Sequence, residues 1–183
     1  MSVIVGLDRP VAIVDYDVDW PGLYELERER LNSGLGDIAL HYEHIGSTSV
    51  PGLAARPVLD IAVGLRRLED AEICIPALHT LGYTYNPNFK AASSERRFFW
   101  RWAPEVHMHH LYLVPVNSSL WLKPILFRDY LRCHPYEALW YGAVKRALAE
   151  QCGDDIEAYR RGKTVFMESI LLKAQQGGEL VVA

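Results

Sequence analysis

Asp60 interrupts an otherwise apolar, β-branched run, Val58-Leu59-Asp60-Ile61-Ala62-Val63. An ionised carboxylate in such a run is costly unless it is paired or binds a cation. Asp60 is therefore either a metal or ligand contact and a candidate catalytic group, or the partner of a buried cation such as Arg56. Upstream, His44-Ile45-Gly46-Ser47-Thr48 reads as a strand running into a Gly-Ser turn. Glycine lets a phosphate approach the backbone, and the Ser47 hydroxyl can donate to it. Thr48 and Arg56, in the same segment, join Gly46 and Ser47 as candidate phosphate contacts. Twelve residues separate Ser47 from Asp60. That is enough chain to cross a turn and return as a neighbouring strand, with Asp60 facing the Gly-Ser turn.

Two other groups could act on the same ligand. On a strand, His107 and His109 face one way while His110 and Tyr112 face the other. His110 is a candidate partner of Asp60 on a borderline metal, with hydrogen-bonded cleft histidines as the alternative. In the last third, Arg128 and Arg132, Tyr141 and Lys145, and Tyr159 and Lys163 are each spaced i, i+4, so each pair shares a helix face. Arginine grips phosphate in a bidentate fork and lysine meets it as a point charge. Arg128, Lys145 and Lys163 are expected to converge on one anion, with Tyr141 and Tyr159 lining a pocket or stacking on a base. Arg146, Arg160 and Arg161 read as solvated helix faces.

Positioning these groups requires a sheet and a set of helices. Val11 to Val14 reads as a short strand. Asp19 can cap a helix with Pro21 in its first turn, ending at Gly34. Ile38 to Ile45 and Val58 to Leu65 read as strands flanking a turn-rich loop. Leu68 to Leu81 is helical in pattern, but Pro76 predicts a kink or a late start. Arg97 to Trp102 and His107 to Val114 read as strands joined by a turn at Pro104. Helices follow over Leu120 to Leu131 with Pro124 inside, Pro135 to about Glu150, and about Asp155 to Ala174. The tail from Gly177 is expected to fray.

The chain has 183 residues, 50% of them hydrophobic and 23% charged. These are globular values that exclude disordered, collagen-like and coiled-coil classes. A net charge of −4 gives no overall basic footprint for duplex nucleic acid. A basic-aromatic strand from Arg96 to Trp102 leaves a single-stranded partner as a minor alternative. No run of about 20 apolar residues predicts a membrane span, and the N-terminus offers no secretory core. A cytoplasmic protein is expected. Three cysteines, Cys74, Cys133 and Cys152, include no C-x-x-C pair and read as small buried hydrophobes. No G-x-S-x-G, G-x-x-x-x-G-K-[ST] or H-E-x-x-H motif is present.

The segment His44-Ile-Gly-Ser-Thr-Ser-Val-Pro-Gly-Leu-Ala-Ala-Arg-Pro-Val-Leu-Asp60 resembles the hallmark of the GrpB family, also known as UPF0157. The stretches Phe127 to Arg132, Tyr141 to Lys145 and Tyr159 to Lys163 agree, so the resemblance runs from Tyr16 to about Ala174. More broadly, a strand-end Gly-Ser followed by Asp resembles the nucleotidyltransferase superfamily. That resemblance implies an α+β fold: a nucleotidyltransferase-like mixed β-sheet with flanking helices and a C-terminal helical extension. The expectation is a single domain, 1–183, with the core at about 1–117 and the extension at about 118–176.

The superfamily pattern places a second carboxylate two residues after the first, and here that residue is Ala62. Two-metal nucleotidyl transfer needs carboxylates that bridge two cations, whereas a single Mg²⁺ often takes one or two, with phosphate and water completing its shell. The resemblance therefore implies a nucleoside triphosphate bound with Mg²⁺ or Mn²⁺, and transfer of a nucleotidyl group to an acceptor. In that scheme Asp60 holds the cation, Gly46 and Ser47 the phosphates, and Lys145 or Lys163 the far end of the triphosphate. The alternatives are a non-catalytic nucleotide- or CoA-binding module and a mononuclear metal hydrolase built on His110 and Asp60.

Overall fold

The computed structural model describes residues 12–87, 95–103 and 107–176. Among them run the helix α1 (Trp20–Leu35), strands β1 (His41–Ile45) and β2 (Val58–Leu65), helix α2 (Ala71–Thr80), and strands β3 (Thr84–Tyr85), β4 (Arg97–Ala103) and β5 (His107–Pro115). Helices α3 (Ser119–Cys133), α4 (Pro135–Cys152) and α5 (Ile156–Gln176) complete the chain. The sheet order is β1-β2-β5-β4-β3. β2 and β5 are parallel and the other pairs antiparallel. The fold is thus α+β with a mixed sheet, as expected.

The alternation of β2 explains both faces of the sheet. Leu59, Ile61, Val63 and Leu65 join Leu111 and Leu113 of β5 in a fully buried core under α1 and α2, with Trp20, Leu31, Cys74 and Leu78. The even-numbered face carries Asp60 and Ala62. There Ala62 packs with Ile45, Val114 and Trp121 of α3. Gly64 leaves room for this helix, because an added Cβ would stand 3.1 Å from the Trp121 ring. A third core joins α3, α4 and α5 through Phe127, Leu131, Tyr141, Phe166 and Ile170 to Val50 and Leu53 of the loop before β2.

Several local expectations are corrected. The Asp19 side chain does not cap α1; its N–H instead donates to Asp17 Oδ1 at 2.9 Å. Of the first expected strand, the described residues 12–14 carry a single bridge, Val14 to Ala55, and Val11 lies outside the described residues. β1 begins at His41, because Gly36–Ile38 forms a 3-10 turn. The late start expected for α2 is observed at Ala71, after another 3-10 turn over Leu68–Asp70, with Pro76 inside the helix. The two-residue β3 carried no strand pattern of its own. The turn at Pro104 and the tail from Gly177 lie outside the described residues. Cys74 is buried, with burial pushing its thiol up to about 11, but Cys133 is exposed. Among the described residues, no helix is long and apolar enough to cross a membrane.

Candidate functional site

The antiparallel register of β1 and β2 sets Ile45 opposite Asp60. The next residue, Gly46, turns with φ +73°. A Cβ there would press on Asp60 Oδ2, nearer than real Cβ atoms approach, and stand 3.0 Å from Asp60 Cβ and Cγ. The Gly-Ser turn therefore lies directly against the Asp60 carboxylate. In the parallel register Asp60 pairs with His110 and Ala62 with Tyr112. Asp60 Oδ1 accepts from His110 Nδ1 and from the Tyr112 hydroxyl, each at 3.2 Å. Burial alone would raise the Asp60 carboxyl. The His110 hydrogen bond and charge, the Tyr112 hydroxyl and the Lys163 ammonium outweigh it and hold the pKa below the usual carboxylate value. Its side chain keeps 26% of its surface accessible.

Around it opens a cleft of about 200 Å³, lined by Ser47, Thr48, Arg56, Asp60, His110, Tyr112, Lys145, Tyr159, Arg160 and Lys163 among others. Lys145 comes from α4, and Tyr159, Arg160 and Lys163 from α5. Lys145 donates to the Ala54 carbonyl and lies 4.7 Å from the Tyr141 ring centroid. Burial, with Lys163 and Arg146 nearby, pushes its pKa down to about 7. Lys163 stands 4.5 Å over the Tyr159 ring. Burial takes its pKa down to about 8, against the pull of Asp60 and with Arg56 and Arg160 adding to the depression. On the sheet, Arg96 lies 5.2 Å over the Tyr112 ring.

The remaining candidates lie elsewhere or have their polar groups engaged. Arg128 is a correction of place: it does not line the cleft. Its guanidinium is buried behind β1, donating to Glu43 Oε2 at 2.5 Å, the His44 carbonyl at 3.0 Å and both Asp129 oxygens. The packing phase of α3 turns it toward β1, where Glu43 awaits it. Arg132 follows that face and grips the Ser49 carbonyl with two N–H groups, at 3.0 and 2.8 Å. Tyr141 is buried in the helical core, stacked on Phe166 at 4.7 Å. Thr48 lines the cleft, but its hydroxyl donates to the Val58 carbonyl and meets His44 Nε2, both at 3.0 Å. His44 in turn stacks on Tyr24, and burial lowers its pKa to about 4, so it stays neutral and serves as an N–H donor to Thr48. His109 is buried on the opposite face of the sheet from His110.

A metal fits the donor set poorly. Ala62 is 1% exposed beneath Trp121, and His110 is engaged at both ring nitrogens, its Nε2 lying 3.0 Å from Met108 Sδ. Among the described residues, no three His, Cys, Asp or Glu side chains could surround a metal ion.

The family model described as GrpB protein matches residues 10–173. The chain belongs to the GrpB family. It is 35% identical over 173 residues to a UPF0157 protein of Pseudomonas aeruginosa, covering 91% of this chain and 69% of that one. A UPF0157 protein of Bacillus subtilis is 32% identical over 161 residues; 88% of this chain is covered, but only 46% of that longer protein. The crystal structure of conserved protein GrpB from Enterococcus faecalis superposes with a TM-score of 0.81 at 32% identity, covering 91% of this chain and 98% of that one.

Sequence reasoning missed two members of the cleft of this GrpB-family chain. Arg160 reads as a solvated charge, yet it lines the cleft, three residues before Lys163 on α5. That i, i+3 spacing was the available signal. Tyr112 alternates with His110 on β5, which places it on the Asp60 face. Its hydroxyl bond to Asp60 depended on the strand register.

Proposed function

We propose that the cleft of this GrpB-family chain binds the phosphate end of a nucleotide- or CoA-type small molecule. The observation that carries this reading is the convergence of Arg56, Lys145, Arg160 and Lys163 on a single cleft beside the Gly46-Ser47 turn. These cations come from the loop before β2 and from two helices. Solvated charges have no reason to converge, because like charges repel and burial costs them hydration. A phosphate repays that cost through charge-assisted hydrogen bonds. Ser47, half-buried at the cleft, can donate to the same oxygens.

A thermal-shift screen of nucleotides, CoA and pyrophosphate, with and without Mg²⁺ and Mn²⁺, tests this reading. A ligand at a hundredfold excess over its Kd stabilises by about 2.7 kcal/mol. Stabilisation by phosphate compounds but not by their dephosphorylated forms is expected. No stabilisation by any of them would remove the reading.

A second reading is nucleotidyl transfer in the manner of the nucleotidyltransferase superfamily. The close approach of Asp60 to the Gly46-Ser47 turn favours it. A divalent cation carried by the triphosphate would supply charge neutralisation, held by phosphate oxygens and water, and Asp60 is the one carboxylate among the described residues lining the cleft. The chain's own part would be to hold the triphosphate through Lys145, Lys163 and Ser47. Release of pyrophosphate from a nucleoside triphosphate, lost in Asp60→Asn, is its test. No observation favours a hydrolase built on His110.

A further inference from the structure

We propose that the cleft holds its phosphate through protein cations without a divalent metal, the Lys163 ammonium standing where the cation of a metal-dependent site would be, and Asp60 serving as its counter-ion. This rests on the reading of the cleft as a phosphate site and concerns how that site works.

Asp60 is ill-placed to ligate. Oδ1 already accepts two hydrogen bonds, from His110 and Tyr112. Oδ2 lies against Gly46, which has no side chain to make room for. Mg²⁺ demands near-octahedral oxygens at about 2.0–2.1 Å; on Oδ1 it would have to displace these partners, and on Oδ2 it would have to enter between the carboxylate and the Gly46 turn. The register positions beside Asp60 offer no second carboxylate. Across β1 stands Ile45, two residues along β2 stands the buried Ala62, and Phe98 packs 5.2 Å from both the His110 and Tyr112 rings.

The positive charge that a metal would bring is already present. Arg56, Lys145, Arg160 and Lys163 line the cleft with the single carboxylate of Asp60, Arg160 also pairing with Glu157 outside the lining. Lys163 in particular interacts with Asp60 and lies on the Tyr159 ring, where a desolvated ammonium gains from the aromatic face. Asp60 thus opposes the burial that would otherwise discharge the lysine. Further cations would find little anionic charge to offset, except what a ligand brings.

The size of the site narrows the ligand class. At about 200 Å³ the cleft is smaller than the roughly 300–1,000 Å³ of drug-sized sites. It suits a phosphomonoester or diphosphate terminus, with the rest of the molecule projecting outward. A metal-free diphosphate or phosphomonoester is therefore the expected form of the ligand, rather than a metal-chelated triphosphate.

Isothermal titration with pyrophosphate, and with ADP, in EDTA and in excess Mg²⁺ distinguishes the possibilities. Affinity in EDTA at least equal to that in excess Mg²⁺, where chelation depletes the free diphosphate, is expected. Lys163→Met should weaken binding about tenfold or more in both, and Lys163→Arg, which keeps the charge, should retain it. Asp60→Asn should still bind in EDTA. Binding that requires Mg²⁺ and is lost in Asp60→Asn would overturn the inference while leaving the phosphate reading intact. Binding of neither compound in either buffer would overturn both. The comparison of buffers on the unmodified chain decides the matter even if a variant fails to fold.

Discussion

Gly46 and Asp60 are in contact across two adjacent strands, and only a residue without a side chain could occupy the first position. The turn that presents Ser47 to the cleft is thereby locked to the carboxylate at its floor. Arg132 on the Ser49 carbonyl and Ser49 Oγ on the Gly46 carbonyl hold its far side. The site is rigid at this corner before any ligand arrives.

Gly46→Ala should therefore cost more than a left-handed backbone position normally does. Gly52 supplies the control: its φ is +76°, but a Cβ there meets nothing within 4 Å. Gly52→Ala should lose about 1 kcal/mol from conformation alone. Gly46→Ala should lose about 2 kcal/mol or more, and should disturb ligand binding as well. Urea denaturation of the two variants checks this; equal losses would mean that the Asp60 contact carries no weight.

Restoring the missing carboxylate should harm the fold rather than repair a metal site. In Ala62→Asp the new charge would be enclosed by Ile45, Val114 and Trp121, and Glu43 is its cross-strand neighbour on β1. A buried, unpaired carboxylate costs about 3–5 kcal/mol. Chemical denaturation should show the loss at neutral pH and less of it at acid pH, where the carboxyl is protonated. A stable variant with stronger Mg²⁺ binding would contradict the packing argument.

Two lysines with depressed pKa values give the stability of the free protein and its affinity for phosphate opposite pH slopes. Folded-state values of about 8 for Lys163 and 7 for Lys145 lie below the ordinary lysine value of 10.5. Between about pH 7 and 10.5 the unfolded chain therefore binds more protons, and the lysine contribution to stability rises with pH. Phosphate affinity should fall over about pH 7–9 as Lys145 and Lys163 lose their charge. Burial depresses both values, with Lys163 and Arg146 adding at Lys145 and with Arg56 and Arg160 adding at Lys163 against the pull of Asp60, which stays ionised throughout. Melting temperatures measured with and without pyrophosphate across this range should converge as pH rises.

Arg128 and Lys163 should separate stability from binding. Arg128→Ala leaves Glu43, Asp129 and the His44 carbonyl without their donor. Because both carboxylates are partly exposed, a loss of about 1–3 kcal/mol is expected rather than the full cost of a buried pair. Its effect on phosphate affinity should be small. Lys163→Ala should reverse the pattern, weakening pyrophosphate binding about tenfold or more at a stability cost of about 1 kcal/mol or less. Titration calorimetry and denaturation on both variants provide the comparison.

Much of the site was legible in the residues themselves. A strand as apolar and β-branched as Val58 to Leu65 can only be buried, and its period of two places Asp60 and Ala62 on one face. A glycine at the end of the preceding strand, with twelve residues of turn-rich chain between Ser47 and Asp60, is enough to bring the two together. The same alternation puts His110 and Tyr112 on that face and His109 on the other. The i, i+4 spacing of Tyr159 and Lys163 defined a face of α5 before any packing was known.

The tertiary structure decided which helix face meets the sheet. Local periodicity shows that Arg128 shares a face with Arg132 and Tyr141 with Lys145, but gives no rotation of either helix about its axis. Rotation follows from the side chains that fill the gaps: Trp121 settles over Ala62 and Gly64, and Tyr141 stacks on Phe166. Arg128 is then carried to Glu43, while Lys145 reaches the cleft beside the Ala54 carbonyl. Thr48 and Arg160 exchanged their expected standing for the same reason. A hydroxyl or a cation finds its partner through strand register and helix packing, which join residues far apart in the chain.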